Sequence, residues 1–304
     1  MSVSWRDYAT GQTRDMPQRE LDNLLSPSRL VDSLDDELAL YARDSERARA
    51  DAAAHGRLHE GLRYGDQSDE KIDLLTPAGD GPYPLLVYVH GGFWQQLSRR
   101  DSAFAASGIV AQGGAYAAVG YTLAPRATLA DIVEQVRRAV AWLWHHAGDY
   151  GLDPARIVVA GSSAGAHLAA MIALADWSTH AVPDNVIAGA CLISGVYDLD
   201  AVRHSYVNAP LGLTDAQVAD LSPLRLSSFE PSCRTVLVCG ERETEEFKRE
   251  SRHYAAHLGA AVTYLEIAGR QHFDLPGDLG RPTSYLGHAT RDLLGLGAQL
   301  RRNG

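Results

Sequence analysis

The chain has 304 residues, of which 45% are hydrophobic and 22% charged, and its formal net charge is -10. These values are typical of a globular protein with a sizeable core, and the acidic balance argues against a nucleic-acid partner, which normally needs a basic face. No apolar run is long enough to span a bilayer, and the first residues lack the basic and apolar segments of a signal peptide. We therefore expect a cytoplasmic protein with neither a nucleic-acid nor a membrane partner. Three cysteines in or beside apolar runs are interpreted as reduced, buried thiols: Cys191, Cys233 and Cys239.

Residues 1–60 differ in character from the rest of the chain. Residues 35–54 are rich in Ala, Arg, Asp and Glu, and their apolar members keep roughly helical spacing: Leu38, Tyr41, Ala42 and Ala48. We expect one or two helices here that form a cap over a catalytic domain of residues 61–304, with a solvated arm as the alternative. Three leucines are expected to be buried near the entrance to the site: Leu24, Leu25 and Leu30.

The following residues alternate apolar strands with helical stretches. Strands are predicted at 72–75, 85–89, 115–119, 157–160, 190–194, 235–239 and 262–267, and helices at 102–110, 129–146, 246–258 and 284–296. Continuous apolar runs are typical of strands buried on both faces. The alternation therefore predicts a mostly parallel sheet flanked by helices on both faces.

A Gly-x-Ser-x-Gly pattern from Gly161 to Gly165 follows the strand at 157–160 and precedes an Ala-rich helical stretch. In the order strand, turn and helix, this pattern indicates a nucleophile elbow. The sharp turn would present the Ser163 hydroxyl above the sheet, close to the N–H of Ala164. The alternative is a turn that only caps a helix, because the short pattern also occurs by chance.

A second glycine pair lies in the sequence His90-Gly91-Gly92, directly after the strand at 85–89. Paired glycines allow backbone N–H groups to face a substrate carbonyl without an intervening side chain. We expect an oxyanion hole formed by the N–H groups of Gly91, Gly92 and Ala164. His90 is interpreted as a structural residue that fixes the loop. The alternative to an oxyanion hole is that the His-Gly-Gly segment only forms a turn at the end of the strand.

A nucleophilic serine also needs a base and an acid, which follow it in the order acid, then histidine, in α/β-hydrolases. His272 lies in a loop between the last apolar strand and the C-terminal helix, and it is the predicted base. This reasoning does not decide which carboxylate is the acid that orients His272. Glu243 is the best placed, just before a helix, and Glu241 and Asp198 are its rivals.

Taken together, these motifs make the chain similar to the α/β-hydrolase type of kynurenine formamidase (arylformamidase), close to the hormone-sensitive-lipase-like esterases. The matching segments are Ser26 to Arg29, Tyr64-Gly65, His90 to Trp94, Tyr121 to Pro125, Gly161 to Ala169, Ser194 to Leu199, Ser222-Pro223, Glu246-Phe247 and Gly269 to Phe273. Phe93 stands where the lipase-like branch tends to carry a third glycine, which favours the formamidase side. The resemblance implies Ser163 as nucleophile and His272 as base, and it places the acid at Glu243, where many relatives have Asp.

The resulting prediction is an α/β-hydrolase fold with an N-terminal helical cap. It would cleave an N-formyl arylamine similar to N-formylkynurenine, as in tryptophan catabolism, through a Ser-His-Glu triad and an acyl-enzyme. Five aromatic residues are expected to line a pocket for this planar small molecule: Phe93, Trp94, Tyr197, Phe247 and Phe273.

No metal or organic cofactor is expected, since this mechanism needs none. One alternative is a carboxylesterase or a hydrolase that tailors a secondary metabolite, with an aromatic ester as its substrate. Another, of a different class, is a non-catalytic small-molecule receptor on a hydrolase fold. Both a monomer and a homodimer are compatible with the sequence.

Overall fold

The computed structural model describes residues 1–226 and 233–297, so the last residues of the predicted catalytic domain, 298–304, lie outside the described ranges. The strands are β1 (Ser2–Arg6), β2 (Thr13–Pro17), β3 (Leu58–Arg63), β4 (Lys71–Leu75), β5 (Tyr83–Val89), β6 (Ala115–Val119), β7 (Leu152–Ser162), β8 (Ile187–Ile193), β9 (Arg234–Gly240) and β10 (Val262–Ile267). The α-helices are α1 (Gln18–Leu24), α2 (Leu34–Ala54), α3 (Ala106–Ala111), α4 (Leu129–His145), α5 (Ala164–Ala173), α6 (Asp200–Arg203), α7 (Asn208–Leu211), α8 (Asp215–Leu221), α9 (Glu245–Leu258) and α10 (Tyr285–Leu293). Within these ranges, none of the helices combines the length and the apolar character that crossing a membrane requires.

Strands β3 to β10 form one eight-stranded sheet in the order β10-β9-β8-β7-β5-β6-β4-β3. Strands β5 to β10 pair in parallel, whereas β4 is antiparallel to β6 and β3 is antiparallel to β4. Along β5, Leu85 and Val87 belong to one buried cluster and Leu86 and Tyr88 to another. Because successive side chains point to opposite faces, the sheet is covered on both sides. The predicted, mostly parallel sheet flanked by helices is confirmed.

The helix predicted at 102–110 is shorter in the structure. Helix α3 begins only at Ala106, and a separate 3-10 turn at Arg99–Asp101 lies before the predicted range. The backbone between them bonds elsewhere: the Tyr116 hydroxyl donates to the carbonyl of Ser102 over 2.7 Å, and the N–H of Ala103 donates to Ser45 Oγ over 2.9 Å. These groups are therefore not used in a helical ladder.

The N-terminal segment is not the purely helical arm that the sequence predicts. Its first part is a hairpin in which β1 and β2 pair antiparallel, and its last residues belong to β3 of the main sheet. Helix α2 is present and is capped by Ser33, whose side chain accepts from the N–H of Asp36 over 3.2 Å. Leu25 is buried as predicted, but Leu30 is 46% exposed, so its predicted burial is wrong. The division of the chain at residue 60 stays a prediction.

The N-terminal hairpin docks onto the beginning of α9. Arg14 donates to both carboxylate oxygens of Glu246 over 2.8 Å, and Arg249 donates to Asp7 over 2.6 Å. The carboxylates of Glu246 and Asp7 are both buried. Removing a hydrogen-bond partner of a buried carboxylate is destabilising. Glu246 also accepts from Arg249 within α9 over 2.6 Å, so Arg14 supplies the part of this pairing that crosses from the hairpin. These contacts therefore fix the hairpin to the main domain.

We expect Arg14→Met to lower the free energy of unfolding by about 1–3 kcal/mol, because buried Glu246 loses two hydrogen bonds. Urea unfolding followed by circular dichroism measures the change. Arg43→Met is the matched control, since Arg43 and its partner Asp44 are both exposed and such pairs contribute little. Equal stabilities of the two variants would contradict the docking role.

Candidate active site

The candidate functional residues lie on loops that follow parallel strands. Strands β10, β9, β8, β7 and β5 are neighbours in the sheet, and their carboxyl ends share one edge. The loops after these strands carry, in the same order, His272, Glu243, Ser194, Ser163 and Gly91. Residues far apart in the chain therefore meet where α/β sheets usually bind ligands.

Ser163 occupies a strained turn between β7 and α5. Its backbone angles are φ 57° and ψ -124°, a conformation that costs energy for a residue with a side chain. A Cβ atom at Gly161 would overlap the carbonyl oxygen of Gly165, and one at Gly165 would overlap that of Val89. The N–H of Ser163 donates to the carbonyl of Ile193 over 2.8 Å. Gly161 and Gly165 therefore permit the close backbone approach of this turn, and the hydrogen bond from Ser163 to Ile193 stabilises it.

His272 contacts the carboxylate of Glu243. His272 Nδ1 lies 2.7 Å from Glu243 Oε2, and the other oxygen accepts from the N–H of Gly240 over 2.8 Å and from the Ser194 hydroxyl. Burial alone would raise the pKa of Glu243, but the His272 imidazole and these hydrogen bonds outweigh it and lower the pKa. Glu243 is therefore anionic at neutral pH and fixes the proton of His272 on Nδ1.

The two rival acids have other partners. Arg225 donates to Asp198 over 2.8 Å, and Glu241 accepts from the N–H of Gly269 over 2.7 Å. Of the three candidates that residue reasoning left open, the structure brings Glu243 to His272.

Ser194 is a site residue that the sequence analysis did not identify. It follows β8 with a positive φ of 51°, which turns its hydroxyl to Glu243. The only signal in the sequence was its place at the start of a segment, Ser194 to Leu199, that matches the formamidases.

The loop after β5 supplies the candidate oxyanion donors. Gly91 and Gly92 line the same cavity as Ser163, and Gly92 has a φ of 87°. Within the described ranges, the structure records no protein acceptor for the N–H of Gly91, Gly92 or Ala164. These N–H groups are available to bind a developing oxyanion.

Two histidines near the site are packed into the interior. His90 Nδ1 lies 3.1 Å from the carbonyl of Gly91, and the His90 ring stacks on Tyr121 with 4.1 Å between ring centroids. His167 Nε2 lies 2.7 Å from the carbonyl of Leu221. Burial lowers the pKa of both histidines to about 4, so both are neutral and structural at physiological pH.

A cavity of about 180 Å³ lies over Ser163 and His272. The N-terminal segment supplies part of its wall through Leu34, Leu38 and Tyr41. Among the described residues, no hydrogen bond joins the Ser163 hydroxyl to His272, a contact that often closes only when substrate binds.

The five predicted pocket aromatics divide into two groups. Phe93 and Phe273 line the cavity, but the other three side chains are fully buried behind its wall: Trp94, Tyr197 and Phe247. Large aromatic side chains gain most from complete burial. Trp94 accordingly packs edge-on against His167, Tyr197 stacks on Tyr254, and Phe247 packs on the His272 ring with 4.5 Å between centroids.

In the part of the chain that the structure describes, His, Cys, Asp and Glu residues form no group of three or more that could hold a metal ion.

Comparisons with known proteins agree with this architecture. The family model BD-FAE matches residues 72–204. Kynurenine formamidase from Danio rerio is 33% identical over 276 residues, which cover 86% of this chain and 91% of that protein. A crystal structure from Silicibacter sp. tm1040, provisionally assigned as a thioesterase, has a TM-score of 0.78 at 25% identity over 88% of this chain and 97% of that one. The carboxylesterase EstE1 from a metagenomic library shares the fold, with a TM-score of 0.65 at 21% identity over 86% of this chain and 97% of its own.

We expect Glu243→Gln to lower kcat by about 10⁴-fold, the loss seen when the acid of a serine protease triad is replaced by its amide and the histidine adopts the wrong tautomer. Steady-state hydrolysis of a p-nitrophenyl ester by wild type and variant measures this change in kcat. Glu241→Gln is the control, because Glu241 bonds to Gly269. A comparable loss in Glu241→Gln would contradict the assignment of the acid.

The wall contributed by α2 gives a second expectation. Leu38→Ala should lower kcat/KM for an aryl formamide by about tenfold or more, because the substrate ring loses apolar contact with the pocket. The same change should lower kcat/KM for a small acetyl ester by less. Leu40→Ala is the matched control, since Leu40 is 43% exposed and lies outside this cavity. Equal losses on both substrates would show that α2 does not select the acyl or amine group.

Proposed function

This chain belongs to the kynurenine formamidase family and is a serine hydrolase with the α/β-hydrolase fold, and on that premise we propose that it hydrolyses an N-formyl arylamine similar to N-formylkynurenine. The observation that carries the proposal is the chain of contacts from Ser194 through Glu243 to His272, beside a cavity that also exposes Ser163. The likeness to the Danio rerio formamidase covers 86% of this chain and therefore reaches into the first 60 residues, which supply part of the cavity wall.

In the proposed mechanism, His272 Nε2 takes the proton of the Ser163 hydroxyl, and Ser163 Oγ attacks the formyl carbon. The N–H groups of Gly91, Gly92 and Ala164 stabilise the oxyanion, and Glu243 stabilises the imidazolium. His272 then gives its proton to the amine nitrogen as the C–N bond breaks. Water, deprotonated by His272, hydrolyses the formyl-enzyme to formate and regenerates Ser163.

The proposal extends to the setting of the reaction. We place the activity in the cytoplasm and in tryptophan breakdown, with a small aromatic amide as the partner molecule. A carboxylesterase remains the alternative, because the same nucleophile, base and N–H donors can act on an ester carbonyl.

The test compares several aryl formamides, N-formylkynurenine included, with p-nitrophenyl acetate as the ester. We expect at least one formamide to have the higher kcat/KM. Ser163→Ala and His272→Ala should each remove nearly all turnover, and the double variant should be scarcely worse than either single one, because the groups act as a unit.

Two results would contradict the proposal. Hydrolysis of the ester alone would identify a carboxylesterase. A wild-type protein that neither turns over a substrate nor reacts at Ser163 with a fluorophosphonate probe would be a receptor.

A further inference from the structure

One face of helix α2 lies against the loop after β10, which carries the predicted base. Leu34, Leu38 and Tyr41 of this face line the cavity over Ser163. Glu37 follows Leu34 by three residues and therefore shares the same side of the helix, but it lies outside the described lining of that cavity. The helix thus directs two polar side chains to the loop, Glu37 and Tyr41, and of these two only Tyr41 reaches the cavity.

The Tyr41 hydroxyl supplies a hydrogen bond that the loop cannot make for itself. It donates to the carbonyl of Phe273, one residue after the base, over 2.6 Å. In a helical turn this carbonyl would accept from the N–H of the third or fourth residue after it. Pro276 has no N–H, and the N–H of Gly277 donates to the carbonyl of Asp274 over 3.2 Å. Burial raises the pKa of Tyr41 well above its ordinary value, so its hydroxyl remains a donor at physiological pH.

Glu37 binds the loop on the other side of the base. Gln271 Nε2 donates to Glu37 Oε1 over 2.8 Å, and Gln271 Oε1 accepts from the N–H of Phe273 over 2.6 Å. One amide side chain therefore spans His272 and joins both of its neighbours to α2. Because Gln271 is buried, removing its partner leaves a polar group that water does not freely satisfy.

The Tyr41 ring is itself held in place. It stacks on Phe104 with 4.7 Å between centroids, and Phe104 packs edge-on against Tyr88 at 5.3 Å, both favourable aromatic geometries. Tyr88 Oη lies 3.0 Å from Ser162 Oγ, the residue before the nucleophile. This row of rings therefore connects α2 to the nucleophile elbow as well as to the loop of the base.

Glu243 orients the His272 ring, but the backbone that carries the ring must also be held. A displacement of about 1 Å in an active site can cost about 10²-fold in rate. We propose that Glu37 and Tyr41 are positioning residues, which hold the backbone on both sides of His272. The imidazole then stays against Glu243 and at the cavity. The inference rests on the proposed function, in which His272 is the base.

A pair of variants at Glu37 tests the inference without changing the cavity wall. Glu37→Leu removes the acceptor for Gln271, whereas Glu37→Gln keeps an oxygen that can accept the same hydrogen bond. We expect Glu37→Leu to lower kcat for p-nitrophenyl acetate by about tenfold with KM unchanged, and Glu37→Gln to restore most of the loss. Asp35→Ala is the control, because Asp35 is an exposed acid in the same first turn of α2, and it should behave as wild type.

Tyr41→Phe removes the hydroxyl and keeps the ring in the wall. We expect kcat to fall about tenfold for both an aryl formamide and p-nitrophenyl acetate, because the base serves both substrates. Leu38→Ala, which changes only the wall, should instead affect the formamide more. A loss in Tyr41→Phe that is confined to KM or to the formamide would show that the hydroxyl acts on substrate, and would contradict the inference. If Glu37→Leu does not fold, Tyr41→Phe decides alone.

A spectroscopic measurement separates positioning from general stability. The proton on His272 Nδ1, in its hydrogen bond to Glu243, gives a downfield proton NMR signal that reports this contact directly. The signal should exchange faster with water in Glu37→Leu and Tyr41→Phe, and should match wild type in Glu37→Gln. A wild-type signal in both of the first two variants would overturn the inference even if kcat falls.

Failure of this inference can be told from failure of the proposed function. If wild-type kcat is kept in both Glu37→Leu and Tyr41→Phe, the positioning inference alone is wrong. If wild type hydrolyses the ester and no formamide, the proposed substrate is wrong, and the losses measured with the ester decide the inference. If wild type hydrolyses neither substrate and Ser163 does not react with a fluorophosphonate probe, both are wrong.

Discussion

The contact between the Glu243 carboxylate and the His272 ring, 2.7 Å long and buried, is the interaction on which the rest of the site depends. A carboxylate in the interior is costly unless all its partners are present. Gly240 at the end of β9 and Ser194 after β8 supply the remaining hydrogen bonds to Glu243. The site therefore requires three adjacent strands, β8, β9 and β10, to end in the correct register, which only the assembled sheet provides.

The N-terminal segment supports the same contact from outside. The Thr244 hydroxyl donates to the carbonyl of Leu24 over 2.5 Å, and Arg14 binds Glu246 two residues further on. Phe247 follows and packs on the His272 ring. A segment that supplies one wall of the cavity thus also holds the residues around the acid. This double contact gives a physical reason why the sequence likeness to the formamidases extends into the first 60 residues.

Local patterns predicted the central strands and the elbow, because apolar runs and the glycines around Ser163 act within a few residues. Residue patterns left the acid open, because the chain offers several carboxylates after β9. The resemblance to the formamidases placed it at Glu243, and the fold brings this side chain to His272. The hairpin of β1 and β2 was missed because its strands are short and largely exposed, so they lack an apolar run. Trp94 was misplaced because proximity in sequence to a cavity residue, Phe93, does not give the direction of a side chain.

The lining of the cavity affects how strongly the proposed oxyanion donors can act. The candidate donors for the oxyanion are backbone N–H groups of Gly91, Gly92 and Ala164, the last at the N-terminus of α5, where the helix dipole favours negative charge. Such donors act most strongly where water is excluded, because the local dielectric is low. Leu34, Leu38 and Phe273 line the cavity with apolar surface, so the N-terminal segment that supplies the two leucines also contributes to the setting of these donors.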